Sequence, residues 1–347
     1  MVIADLSLSG FLEDIKDIGT GIVIYGAGVI GKMTVPYWIS SEGLEDKVLS
    51  FVDADIHKHG TEITIGSRKV EILAPESMEN LEQPFVILVT GSRYQGILDY
   101  LGECKYLKDV KVYLFAEMLL KKTERSKDKL LINKSDGIRI PKVINYCWFG
   151  GGQMPDIAKR CIDSWHKYCP DYDYKCWDEK NYDISKYQIT VDATRTGKWA
   201  FLTDVVKLDV LYKNGGIYLD VDVELTKSLD ELLYLEGFCC AEKWGVVNLG
   251  GGSGMSPKMG IVKEMLECRL KSPLVYPDGR MNTESSGLYE TEPLVKKGFI
   301  PDNSLQKIDG LTILPFDYFH PYDYMSKETI KSDNTYGIHH FWGSWLK

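Results

Sequence analysis

Short apolar runs recur at intervals through the first third of the chain. Residues 21–26 (GIVIYG), 47–53 (KVLSFVD), 85–90 (FVILVT) and 110–115 (VKVYLF) each read as a buried strand. A helical pattern runs from Val29 to about Ser40, and a second helix-like segment lies near 94–104. Strands alternating with helices predict a parallel α/β sheet. At 117–136 (EMLLKKTERSKDKLLINKSD) the text becomes charge-rich and helix-favouring, which predicts a linker helix. The organisation expected is a Rossmann-like parallel-sheet domain over 1–116, a linker over 117–137 and a second α/β domain over 138–347.

In the second domain, VINYCWFG (143–150) reads as the first strand and residues 158–168 as a helix. DYKCWD (173–178) is a short strand, and Trp199 to Lys213 is a helix stopped by Asn214-Gly215-Gly216. IYLDVDVEL (217–225) follows as one strand that begins apolar and turns acidic at alternate positions.

Composition narrows the classes. With 347 residues, 44% hydrophobic and 26% charged, the chain can build a core in each domain. A net charge of -9 argues against nucleic acid as a partner, since such binders normally present a basic face. The eight cysteines lack the paired spacing of a zinc site and read as buried free thiols, which fits a cytoplasmic protein. The first ten residues show neither a basic start nor a long apolar stretch, and no run approaches the roughly 20 residues that span a bilayer.

The loop Gly26-Ala27-Gly28-Val29-Ile30-Gly31 is a G-x-G-x-x-G between a strand and a helix, with Asp53 at the end of the next strand. In that setting Gly26, Gly28 and Gly31 would let backbone amides approach a pyrophosphate, while Asp53 takes a ribose hydroxyl. About 115 residues hold only half of a full dinucleotide fold, and no second half carries a hydride-transfer site. A packing or regulatory role is therefore favoured over NAD(P) binding, and an NAD(P)-dependent oxidoreductase is the runner-up reading of the chain.

The acidic strand carries the sharper chemistry. In a strand, side chains two apart share a side, so Asp220 and Asp222 of Leu219-Asp220-Val221-Asp222 would aim two anions at one point. Such a pair calls for a cation, and hard oxygen ligands favour Mn²⁺ or Mg²⁺, which also grip a diphosphate.

Four stretches then carry a resemblance: IPKVINYCWFGG (140–151), CIDSWHKYCPDY (161–172), KWAFLTDVVKLDVLYKNGGIYLDVDVEL (198–225) and HHFWGSW (339–345). In order and spacing they resemble the DXD-containing glycosyltransferases of the Och1-like and capsular-polysaccharide type (glycosyltransferase family 32), which are distantly similar to the glucosylating domains of clostridial toxins. The resemblance implies a GT-A fold, a nucleotide-sugar donor with a UDP-sugar favoured, a divalent metal, and transfer with retention to a saccharide or lipid-linked acceptor. By analogy it also implies surface-polysaccharide synthesis in the cytoplasm, with peripheral association at the inner membrane face.

Carried over residue by residue, Trp148 would stack on the donor base and Asp204 would hydrogen-bond the sugar hydroxyls. Tyr218 would lie on the donor side, Asp220 would contact ribose or a metal-bound water, and Asp222 would ligate the metal. The aromatic end of the chain would fold back over the donor. His340 is assigned there to the metal, with His339 as its adjacent alternative, and Ser344 and Trp345 to the donor. Where the family commonly has arginine three residues after the aspartate matched by Asp204, this chain has Lys207, which keeps the charge without the two-pronged contact.

Overall fold

The computed structural model describes residues 1–4, 7–16, 19–122 and 129–343, and divides into a unit over Met1–Glu124 and a unit over Arg125–Lys347. Ser344 and Trp345 lie outside the described residues. Among the described residues no helix is long and apolar enough to cross a membrane.

The first unit contains β1 (Val2–Ile3), α1 (Leu8–Asp14), β2 (Gly21–Tyr25), α2 (Val35–Ser41), β3 (Val48–Val52), β4 (Glu62–Ile65), β5 (Arg68–Leu73), β6 (Phe85–Val89), α3 (Gln95–Glu103), β7 (Lys111–Leu114) and α4 (Phe115–Lys122). Its seven strands lie in the order β1-β7-β6-β2-β3-β5-β4, and every pairing is parallel except the β4–β5 hairpin. β2 is buried along its whole length, as a continuous apolar run should be when both faces of a parallel sheet are covered. The chain leaves β2 toward β3 on one side and β6 on the other, so the glycine loop sits where the strand order reverses.

The helix expected from Val29 is not uniform. Ile30–Thr34 winds as a π-helical turn before α2 begins, and the Val35 N–H reaches back to the Ile30 carbonyl. Pro36 has no N–H to continue an ordinary ladder, which accounts for the local slip in register.

Packing explains two of the three loop glycines. A Cβ on Gly31 would lie 2.0 Å from the Gly26 carbonyl oxygen, and one on Gly26, whose φ is +106°, would lie 2.7 Å from Thr90 Oγ1. A Cβ on Gly28 would meet nothing within 4 Å. Asp53 is already engaged: Oδ2 accepts from the Ala27 N–H at 2.7 Å and from Lys58 Nζ at 3.2 Å, and Oδ1 accepts from the Asp55 N–H at 2.8 Å. The carboxylate that a ribose would need is thus used to fasten the loop.

A contrast between two substitutions follows. Gly31→Ala should destabilise the first unit by about 1–3 kcal/mol, the usual cost of forcing extra atoms into a packed site. Gly28→Ala should cost almost nothing. Urea denaturation of both variants checks this, and equal losses would remove the packing explanation.

Of the linker helix expected over 117–137, α4 (from Phe115) covers the start, residues 123–128 lie outside the described residues, and residues 129–142 form turns and irregular backbone. The elements after it are β8 (Val143–Cys147), α5 (Asp156–Tyr168), β9 (Asp173–Trp177), α6 (Gln188–Thr196), α7 (Trp199–Asn214), β10 (Gly216–Tyr218), β11 (Val223–Leu225), β12 (Gly237–Ala241), β13 (Val247–Asn248), β14 (Ser253–Met255), α8 (Gly260–Leu270), α9 (Ser286–Val295), β15 (Gln306–Ile308), β16 (Leu311–Leu314) and β17 (Gly337–His339). The main sheet runs β15-β16-β12-β14-β10-β8-β9, with β13 added against β12. It is mixed: β8 pairs parallel with both β9 and β10, whereas β14 runs antiparallel to β10 and β12.

Two apolar clusters sandwich this sheet. Phe201, Leu202, Val205 and Leu208 of α7 pack on one side, and Trp165 of α5 with Leu219 and Val223 on the other. α7 is buried nearly all round, so it reads as a central helix with no clear amphipathic stripe. β11 and β17 form a separate two-stranded ribbon that places Val223 opposite His339. α5 anchors this ribbon, because Trp165 Nε1 donates to the Val223 carbonyl at 2.7 Å and Ser164 Oγ accepts the Leu225 N–H at 2.9 Å.

Candidate active site

The acidic motif does not lie within one strand. β10 ends at Tyr218, β11 starts at Val223, and the four residues between them make a turn closed by a Val223 N–H to Asp220 carbonyl bond of 3.0 Å. The alternation that suggested a continuous strand is therefore broken at the functional point. The carboxylates of Asp220 and Asp222 converge through the turn.

The turn is held from three directions. The Asp220 N–H donates to the Gly250 carbonyl at 2.8 Å. A Cβ on Gly250 would lie 2.1 Å from Asp220 Oδ2, so only glycine lets this loop come so close. Tyr218, 1% exposed, donates from its hydroxyl to Asp220 Oδ1 at 3.2 Å, so its polar end serves Asp220. Asp222 Oδ2 accepts the Trp342 N–H at 2.7 Å, and the Asp222 carbonyl accepts the His340 N–H at 3.0 Å. Phe341 takes φ +48° between them, a strained turn for a bulky residue that brings the Trp342 amide to the carboxylate.

The histidine that joins the aspartates is His339. Its Nε2 lies 3.4 Å from Asp222 Oδ1, and one ligand atom from each of Asp220, Asp222 and His339 falls within 4.8 Å of the others. His340, the residue assigned to the metal from the sequence, points elsewhere: its Nε2 lies 3.0 Å from Glu224 Oε2. Adjacent residues at the end of an extended strand face opposite sides, so only one of the pair can reach the turn.

This donor set fits a divalent cation. Ligands at about 2.0–2.1 Å in octahedral geometry lie roughly 3 Å apart, so a small contraction of the cluster would satisfy Mg²⁺ or Mn²⁺. The buried Nδ1 of His339 has no hydrogen-bond partner, which leaves a nitrogen in search of one.

A second group lies on α7 and α9. Lys207, 2% exposed, places Nζ 2.7 Å from Glu290 Oε1 and 3.6 Å from Asp204 Oδ1. Burial pushes Lys207 toward neutrality, but Glu290 and Asp204 outweigh it and hold the ammonium above its ordinary range. Burial likewise raises Asp204, Asp220 and Glu290, with Lys207 opposing in each case. Asp222 differs: burial raises it, yet His339 and the Trp342 N–H prevail and leave it below the ordinary carboxylate value. His339 is the mirror case, with burial opposing protonation and Asp222 and Asp220 raising it.

Trp148 follows β8 directly, and β8 pairs parallel with β10 in a register that sets Asn145 beside Tyr218. Trp148 and the acidic turn thus both lie past the carboxyl ends of neighbouring parallel strands, where open α/β sheets bind ligands. The half-buried indole donates from Nε1 to the Gly152 carbonyl at 2.7 Å.

The sequence reading overlooked Glu290, Asn248 and His320. Asn248 Oδ1 accepts the Gly250 N–H at 2.9 Å and so shapes the loop against Asp220. His320 is 1% exposed and its Nε2 has no partner, with its ring 5.5 Å from that of His339. A lone acid in an apolar helix or a histidine near a proline gives no local signal; only the fold brings these to the turn.

Part of this site falls within a segment that matches known proteins. Residues 155–238 match the family described as glycosyltransferase sugar-binding region containing DXD motif. The chain is similar to inositol phosphoceramide mannosyltransferase 3 of Schizosaccharomyces pombe, at 33% identity over 111 residues. That match covers 30% of this chain and 30% of the yeast protein, so the similarity spans less than a third of that relative. A solved structure, PaToxG Glycosyltransferase, aligns with a TM-score of 0.37 and 16% identity over 46% of this chain and 69% of that one. The matched segment runs from α5 through β12 and encloses Asp204, Lys207 and the whole acidic turn. Residues 155–238 thus carry the match to the glycosyltransferase sugar-binding region containing the DXD motif.

Proposed function

We propose that this chain transfers a hexose from a nucleotide-diphosphate donor, a UDP-sugar favoured, to a saccharide or lipid-linked acceptor with retention of configuration. The observation that carries the reading is the convergence of Asp220, Asp222 and His339 beside the Lys207–Asp204 pair, past the ends of β8 and β10.

Asp220, Asp222 and His339 would hold Mn²⁺ or Mg²⁺. Bound there, the ion supplies positive charge to the donor diphosphate. Lys207 is pre-charged in a buried setting, so its ammonium stabilises the same diphosphate without reorganising during the reaction. Asp204 orients the sugar hydroxyls, Trp148 stacks on the base, and Ser344 and Trp345 close on the leaving group. In the step itself the bond from the anomeric carbon to the diphosphate oxygen breaks as an acceptor hydroxyl forms its bond on the same face. The hydroxyl proton passes to the departing phosphate oxygen, so no protein nucleophile is required.

The family match over 155–238 supports transfer chemistry, and the mannosyltransferase title of the yeast relative places a mannose donor among those to try. The setting we propose is surface-polysaccharide synthesis in the cytoplasm, at the inner membrane face. The test is a donor screen: with Mn²⁺ present, UDP-glucose, UDP-galactose, UDP-N-acetylhexosamines and GDP-mannose are compared by nucleotide release with and without saccharide acceptors. Release from one donor above the no-enzyme rate is the expected result. Release from none would end the transferase reading.

A further inference from the structure

α9 carries a carboxylate that neither the acidic motif nor the matched segment includes. Glu290 is 0% exposed, and its two oxygens are divided between two tasks. Oε1 lies 2.7 Å from Lys207 Nζ, and Oε2 accepts the Leu249 N–H at 2.7 Å. The next residue repeats the second task, since Thr291 Oγ1 accepts the Val247 N–H at 2.9 Å. α9 therefore grips the backbone leading to Gly250, whose carbonyl in turn receives the Asp220 N–H.

Stability gives this arrangement little reason to exist. A buried ion pair gains attraction but loses the hydration of both ions, and hydrophobic residues of similar volume often do as well or better. Glu290 also adds negative charge near Asp204, which is itself burdened by burial. What the pair does provide is a fixed position for one ammonium. Lysine has a flexible stem and a point charge, unlike the pre-organised fork of arginine, so it needs an external anchor to stay aimed. The Leu249 amide fixes Glu290, Glu290 fixes Lys207, and Lys207 then faces Asp204 across 3.6 Å.

We infer that Glu290 is a positioning residue of the sugar-transfer site, acting through Lys207 to hold its ammonium against the Asp204 side of the cleft. This rests on the transferase reading above. The residue touches no donor atom in this scheme, and its contribution belongs to the transition state, where the leaving diphosphate gathers charge.

The experiment is a double-mutant cycle on the full chain with Mn²⁺ and the donor that the screen identifies. Glu290→Gln keeps an oxygen for the Leu249 N–H but removes the charge and turns an amide NH2 toward Lys207, so the anchor is lost. It should lower kcat by about 30-fold with KM for the donor changed less than about threefold, a coupling within the range of contacting pairs. In a Lys207→Met background the same change should cost less than about twofold, because its route is already gone. Glu290→Asp, which keeps the charge at shorter reach, should restore part of the lost turnover. Equal losses in both backgrounds, unchanged kcat, or an effect confined to KM would overturn the proposal while the transferase reading stands. If Glu290→Gln does not fold, the cycle is run with Glu290→Ala, which also removes the charge, and the same outcomes decide. Absence of turnover by the wild type with every donor would remove the reading and the proposal together.

Discussion

Asp222→Asn should abolish sugar transfer and leave the fold intact. The asparagine still offers an oxygen to the Trp342 N–H, so the contact that fastens the chain end survives. What disappears is one negative charge beside Asp220, whose own carboxylate is already raised by burial. Losing this charge relieves Asp220 but also takes from His339 its carboxylate partner, the contact that holds Asp222 below its ordinary value, so the melting temperature without metal should fall by only a few degrees. The loss to metal binding should exceed the roughly 10–100-fold that follows removal of a residue merely supporting a ligand. Chelation of the wild type should reproduce the loss of turnover, and Mn²⁺ should restore it. His339→Ala should also weaken Mn²⁺ binding, whereas His340→Ala should leave it near the wild-type value because that ring is turned to Glu224. Calorimetric titration with Mn²⁺, read beside nucleotide release and melting curves, decides the matter. Full turnover in excess chelator would sink the metal role of the turn.

Parts of this architecture were legible because the physics is local. Short continuous apolar runs rich in branched side chains, such as GIVIY and FVILV, read as strands covered on both faces, and they form the centre of the first sheet. The helix over 199–213 and its glycine stop were equally plain. The β4–β5 hairpin was also readable in principle, since alternating ITI and KVEI flank Gly66-Ser67, a short turn with glycine at φ +58°.

Other features depend on distant partners. The stretch IYLDVDVEL alternates from Leu219 onward, yet it breaks into a turn because Gly250 and β17 approach from elsewhere and bind its backbone. Residues 129–136 belong to a stretch that reads as helix, but Leu130 and Ile132 pack against the Trp165 cluster and the Leu130 N–H donates to the Tyr318 hydroxyl, tertiary ties that win over propensity. The choice between His339 and His340 turned on strand register, which one sequence does not record. Lys207 looked like a simple departure from arginine until Glu290 appeared beside it.

Removing residues 342–347 should stop turnover while sparing the fold, and removing 337–347 should damage both. The aromatic end reads from sequence as one segment closing over the donor, but it has two parts. Gly337–His339 is β17, paired with β11; Ile338 and His339 are buried, and the Phe341 ring stacks on His339 with centroids 4.2 Å apart. The His339 N–H also donates to the Phe319 carbonyl at 2.9 Å. These contacts belong to the folded unit and do not await a ligand. Trp342 gives its N–H to Asp222 Oδ2, and Ser344 and Trp345 lie outside the described residues. Deleting 342–347 deprives Asp222 of one charge-assisted hydrogen bond, worth about 1.5–3 kcal/mol when made and partly replaced by water when lost. The melting temperature should therefore fall by only a few degrees. Turnover should fall by about 100-fold or more if the segment excludes water and completes the donor site, as closing loops do. The longer deletion also strips β11 of its partner strand and the turn of His339, so Mn²⁺ affinity and cooperative unfolding should both suffer. Nucleotide release, Mn²⁺ titration and melting curves on the two truncations separate these roles. Undiminished turnover in the 342–347 deletion would show that the donor site is complete without this segment, and the closing role would then be withdrawn.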